Sequence, residues 1–196
     1  TPNVSAVHFR EDVNNPNAGL LVEAGGVTVA NPVDVNSTLG TGSARIGGSD
    51  TMTTGSSSFT GPVTLRDLQV GVRESMSLQL NSVSTDNLGV VFNGLISEAN
   101  GGAGATTDVL TLVKIGAGRA TLTGANTYHG GTTVSAGILM VNNTSGSATG
   151  SGVVTLSPGA TLAGTGTIGG DVMLLGAVGN PSSISPGDPS VNGGIG

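Results

Sequence analysis

Glycine decides what this chain can fold into. Its 196 residues include 35 glycines, where average usage would supply roughly 14. Glycine interrupts most windows long enough to build a helix, and Ala, Leu, Glu and Lys do not recur in a 3.6-residue rhythm. Between the glycines stand short apolar runs: VTVANPVDV, VTLRDLQVGV, DVLTLV and VVTLS. A flexible linker has no use for such runs, whereas half-buried strands joined by tight turns require them. The expectation is an all-β chain that turns every few residues.

The same composition excludes several kinds of partner. Six basic against twelve acidic residues leave a formal charge of −6, which offers no basic stripe to displace counterions from nucleic acid. No run reaches the ~18–20 apolar residues of a membrane-spanning helix, and Thr1 reads as a mature or trimmed start. There is no cysteine, hence no disulfide framework and no thiolate metal site. A single lysine, Lys114, amid abundant Thr, Asn and Gly fits a protein exported from the cell.

Internal repeats set the architecture. LGTGSARIGG (Leu39 to Gly48) matches LAGTGTIGG (Leu162 to Gly170), TVSAGIL (Thr133 to Leu139) matches TLSPGATL (Thr155 to Leu162), and GAGRATLT (Gly116 to Thr123) matches GSGVVTLS (Gly150 to Ser157). A period of roughly 20 residues made of short strands and Gly/Asn turns predicts a β-solenoid of roughly eight to ten coils. Val, Leu and Ile then stack inward, Thr and Ser face outward, and Gly and Asn make the corners. Residues 1–180 are read as one solenoid domain, most repeat-like over 109–180, and the turn-rich 181–196 as a cap or tail.

The run LTLVKIGAGRATLTGANTYHGGTTVSAGILMVNN (Leu110 to Asn143), continued by GSGVVTLSPGATLAGTGTIGGDV and SPGD, resembles the autotransporter-associated β-strand repeat, also called the passenger-associated transport repeat. The likeness is strong from Val109 to Gly187, and upstream of Val109 it is one of texture only. It implies a right-handed parallel β-helix of the kind found in large bacterial surface or secreted proteins, where the repeat aids passage through the outer membrane. The repeat has no catalytic residues to carry over. Such proteins usually run to many hundreds of residues and end in a membrane barrel or anchoring signal; this sequence is expected to be a fragment or a short secreted subunit.

Few polar clusters could carry chemistry. Tyr128-His129 could form an acid/base pair, but a general base needs a positioned partner and the other histidine, His8, is 121 positions away. Tyr128 instead occupies a repeat position and His129 a turn. The acids Asp34, Asp50, Asp67, Asp86 and Asp108 fall singly, Glu11-Asp12 is the one adjacent acidic pair, and Gly169-Gly170-Asp171 lacks the second half of a calcium-binding nonapeptide. Arg66-Asp67 and Arg73-Glu74 read as solvated surface pairs. Gly116-Ala-Gly118 and Gly164-Thr-Gly166 lack the Lys-Ser/Thr of a phosphate loop. Sequons at Asn3, Asn36, Asn142 and Asn143 carry little weight in a bacterial chain. No catalytic, cofactor-binding or metal-binding residue is therefore expected.

Three functions compete. The leading one is a non-enzymatic extracellular building block of a surface stalk, fibre or matrix, associating through its open ends. The alternative is a passenger segment of an autotransporter-type adhesin that binds glycans or other cells. An enzyme acting on polysaccharide is the third, and it would need the scattered acids gathered on one face.

Overall fold

The chain is a parallel β-helix. The structure, a computed structural model, describes residues 7–11, 19–37, 43–67, 75–86, 88–99 and 109–188, and among them there is no helix. A leading strand, β1 (Val7–Glu11), precedes three coils of three strands each: β2 (Gly19–Val22), β3 (Thr28–Val29) and β4 (Val33–Ser37); then β5 (Ser43–Gly48), β6 (Ser57–Phe59) and β7 (Val63–Asp67); then β8 (Ser75–Asn81), β9 (Val90–Phe92) and β10 (Ile96–Ala99). Four coils of two strands follow: β11 (Val109–Ile115) and β12 (Arg119–Leu122); β13 (Thr132–Val134) and β14 (Ile138–Val141); β15 (Val154–Leu156) and β16 (Thr161–Gly164); β17 (Val172–Leu174) and β18 (Ser183–Pro186).

Equivalent strands stack into three parallel walls. The first wall runs β2-β5-β8-β11-β13-β15-β17, the second β3-β6-β9-β12-β14-β16-β18, and the third, of four strands, β1-β4-β7-β10. Parallel stacking aligns inward side chains into columns, as the period-2 alternation of each strand requires. One column of the first wall reads Leu20, Ile46, Leu80, Lys114, Val134, Leu156, Leu174. One of the second reads Val29, Phe59, Phe92, Leu122, Val141. Within it the Phe59 and Phe92 rings stack with centroids 5.1 Å apart, a contact that adds to the area the two rings remove from water.

The coil length is not constant. In the early coils Ser43 lies opposite Ser77 and Ser75 opposite Val109. In the late ones Leu112 lies opposite Thr132 and Val154 opposite Val172. These two early steps are thus more than half as long again as the late ones, and the first, Gly19 opposite Arg45, is intermediate. The described residues form seven coils after β1, which stands at a further level on the third wall. The early coils use their extra length to build a third strand. Within 181–196, the described residues 181–188 include β18, which pairs with β16 in register Leu162–Ile184.

The third wall does not stop after β10; it changes material. Thr127 N–H donates to the Ile96 carbonyl (3.1 Å), Asn126 N–H to the Ser147 carbonyl (2.7 Å), and Ala148 N–H to the Thr167 carbonyl (2.9 Å). Turns containing these residues thus stack on β10 and on one another, and replace strand with side-chain-stapled loop.

Candidate functional site

The Tyr128-His129 turn sits in this third wall, directly above β10. Tyr128 is fully buried, its hydroxyl 2.7 Å from Thr132 Oγ1, and burial pushes its phenol well above the ordinary tyrosine value, against a smaller opposing effect of the Thr132 bond. A phenol held neutral inside the core is packing, not an acid/base group at a surface.

His129 is exposed, and its partner is Glu98, a residue that sequence reasoning did not single out. Both the His129 backbone N–H (3.1 Å) and ring Nδ1 meet Glu98 Oε1, while Glu98 Oε2 accepts the Leu110 N–H at 2.8 Å. The Glu98 side chain is 7% exposed, that of His129 68%. Its place explains its chemistry: Val35, Leu65 and Glu98 form one inward column of the third wall, so a carboxylate ends that column where the strands end. The buried charge is acceptable because both oxygens are occupied. His8 shares the third wall with Glu98 but belongs to β1, whose register sets it opposite Asp34; β4 and β7 stand between β1 and β10.

Lys114 was legible as a lone lysine but not as a core residue. It is fully buried in the column between Leu80 and Val134. Its Nζ donates to the carbonyls of Ile115 (2.8 Å), Gly116 (2.7 Å) and Ala136 (3.2 Å). Burial lowers its pKa from 10.5 to about 7, while three carbonyl acceptors matching three ammonium donors pull the other way. The signal was available in VLTLVKI, where strict alternation puts Lys114 in phase with Leu110 and Leu112. Gly116, beside it, has φ +75°, and a Cβ there would collide with the Ser82 carbonyl oxygen. Gly116-Ala-Gly118 is thus a corner at close backbone approach rather than a phosphate loop.

The acids are taken up one by one. Asp34 lies 4.0 Å from Arg66 Nε, so Arg66 looks across one coil. Asp50 accepts from Arg45 and Asn81, both at 3.0 Å, and the Asn81 and Arg45 contacts hold its carboxyl below the ordinary value. Asp86 accepts from Ser84 Oγ and from the Gly55 and Leu88 N–H groups, which likewise lower its pKa. Among the described residues no three His, Asp or Glu side chains gather as a metal site would need. Asn143 is buried, its amide spent on the Ser145 and Gly146 carbonyls and the Thr167 N–H. Asp12, Arg73, Glu74, Asp108 and Asn3 lie outside the described residues, as do the side chains of Glu11, Asn36 and Asp67.

Five of the nine exposed large hydrophobic residues among the described ones lie in the last coil. Met173, Leu174, Leu175, Val178 and Ile184 are all exposed, although their column neighbours Leu156 and Leu162 are buried. Behind them is an open cavity of about 180 Å³ lined by Val141, Leu162, Ile168, Val172, Ile184 and Pro186. The chain then turns away: Gly187 forms an antiparallel bridge with Gly164, and Asp188 reaches back to Arg119 in a two-pronged ion pair (2.7 and 3.2 Å).

Residues 112–141, which run from β11 through the Asn126-Tyr128 turn to β14, match the family model of the passenger-associated-transport-repeat. Over those residues the chain is similar to that repeat family. The Adhesin BmaC autotransporter of Brucella suis biovar 1 (strain 1330) is 43% identical over 101 residues, which make up 50% of this chain and 3% of the adhesin. The chain therefore spans a small part of that relative. No solved structure matches it. A passenger-associated transport repeat beside an autotransporter likeness marks a secreted or cell-surface protein of bacterial type.

Proposed function

We propose that the chain is a non-enzymatic scaffold of a bacterial surface or secreted protein, a building block that stacks end to end into a stalk, fibre or matrix. The observation that carries this reading is the state of the last coil. Columns that are buried through the body of the solenoid emerge apolar and exposed at Leu174 and Ile184, and β17 and β18 each have a described strand neighbour on one side only. Open strand edges of this kind recruit another strand. The test is sedimentation and light scattering of the purified chain over a wide concentration range. Mass that grows with concentration is expected; a strict monomer throughout would sink the reading.

A second reading, a passenger segment of an adhesin, is favoured by the relation to the Brucella adhesin. On the outward side of the first wall, Gln79, Val113, Thr133 and Thr155 fall in one register row, whose polar groups a glycan can lie against. Binding on a glycan array that disappears when Thr133 and Thr155 become Asp would favour this reading over a purely structural role. For catalysis, turnover of any member of an acidic-glycan panel by the purified chain would overturn the non-enzymatic assignment.

A further inference from the structure

We propose that the outer face of the second wall, from β12 to β16, is a docking groove occupied by the chain's own Gly187-Asp188 segment, a strap held in place by Arg119. The burial of one row of side chains points to it. In the second wall Ala120, Leu122, Leu139, Val141 and Leu162 belong to the core, so the residues that alternate with them face outward. Register sets these in a single outward row: Ser58, Val91, Thr121, Met140, Ala163 and Ser185. The outer side of a solenoid wall meets water unless something lies across it. Ser58, Val91 and Ser185 are half-buried, but Thr121, Met140 and Ala163 are buried, the last two at 2% and 3% exposure. Neither Met140 nor Ala163 belongs to the core cluster. Their cover therefore lies outside the wall.

The covered levels are those that the returning chain spans. After β18 the winding course breaks: Gly187, at φ +86°, exchanges two backbone hydrogen bonds of 2.9 Å with Gly164 in antiparallel sense. A positive φ lets the chain reverse at that point, and glycine adopts it at least cost. Gly164 belongs to β16, next to Ala163. Asp188 then accepts two hydrogen bonds from the guanidinium of Arg119, 2.7 Å from Nη2 and 3.2 Å from Nη1. Arg119 opens β12, two residues before Thr121. The contacts of the strap thus run from β16 to β12, and the buried members of the row lie on those two strands and on β14 between them. Val91 and Ser58, on β9 and β6, fall beyond Arg119 and outside the span.

Charge fixes the strap in place. The Arg119 side chain is only 9% exposed, and a guanidinium so far from water needs a counter-charge, which Asp188 supplies bidentately. The groove therefore takes an extended segment whose carboxylate follows a turn glycine. Breaking the ion pair would bare an apolar strip on the side of the solenoid without unwinding a coil. This device is independent of end-to-end stacking.

Methionine oxidation reads the strap directly. Met140 lies beneath it, Met173 is 52% exposed, and Met52 is a core residue at 2% exposure. In dilute hydrogen peroxide followed by peptide mass spectrometry, wild-type Met173 should oxidise fast, and Met140 and Met52 slowly. Asp188→Asn removes the counter-charge, and is expected to speed Met140 at least about tenfold while Met52 stays slow. The chain has no cysteine, so Met140→Cys gives a second probe: its thiol should label slowly, and about tenfold faster when combined with Asp188→Asn. Met140 as fast as Met173 in the wild type would mean an uncovered face. Rates unchanged by Asp188→Asn would mean that the strap is not the cover. Met52 rising together with Met140 would mean that the coils themselves open. Any of these three results overturns the inference.

Discussion

Lys114 shows how much one side chain can encode at the level of the residue. Its pKa of about 7 lies below its ordinary 10.5, so the unfolded chain binds more protons between those two values and stability rises with pH across that window. Below pH 7 both states are protonated and the slope vanishes. The full effect is at most about 5 kcal/mol, reduced by the carbonyl acceptors that favour the ammonium. Urea midpoints at pH 6, 8 and 10 should climb, and Lys114→Met should flatten the climb. That variant also leaves the Ile115, Gly116 and Ala136 carbonyls without their donor, a loss of about 2 kcal/mol at neutral pH. Tyr128→Phe removes one buried hydroxyl bond to Thr132 and should cost about 1 kcal/mol, without any effect on a surface activity.

Among the elements, the third-wall turn is the most sensitive to a single substitution. Asn126 uses both ends of its amide across the stack: Oδ1 accepts the Ile96 N–H at 2.8 Å and Nδ2 donates to the Ala148 carbonyl at 2.6 Å. One side chain thereby joins the last third-wall strand to a turn beyond it. Asn126→Ala should destabilise by about 2–4 kcal/mol, since two buried backbone groups lose their partner at once; Asn126→Asp should also destabilise, because a carboxylate cannot donate to Ala148. Thermal unfolding of both variants checks this. The repeat motif is conspicuous in sequence because these staples demand particular residue types. Glu98 was not conspicuous, because a carboxylate in a strand normally faces solvent and only the register Leu65–Glu98 shows it to be inward.

At the scale of the whole molecule each coil contacts mainly its neighbours, and protection should therefore follow position in the stack. In amide exchange under non-associating conditions, strands β11 to β16 are expected to exchange slowly and β17 and β18 fast, since among the described residues the latter have a strand neighbour on one side only and Leu174 and Ile184 are exposed. Association should slow β17 and β18 selectively. Equal protection throughout at high dilution would contradict an open final coil.

The sequence by itself determined the class of fold and the address of the repeat. Frequent glycine disfavours helices, alternating Val, Leu and Thr demand strands, and the staple residues of 110–143 are local requirements of each turn, so all of these can be read one coil at a time. It also suggested a single short period throughout, because the regular C-terminal coils dominate any search for self-similarity. Only the tertiary structure decided that the early coils step further along the chain than the late ones, that Glu98 points inward and meets His129, and that among the described residues the third wall passes from strands to turns after β10. Each of these depends on which residues from different coils fall at the same level. That register is set by packing between coils, and no single coil contains it.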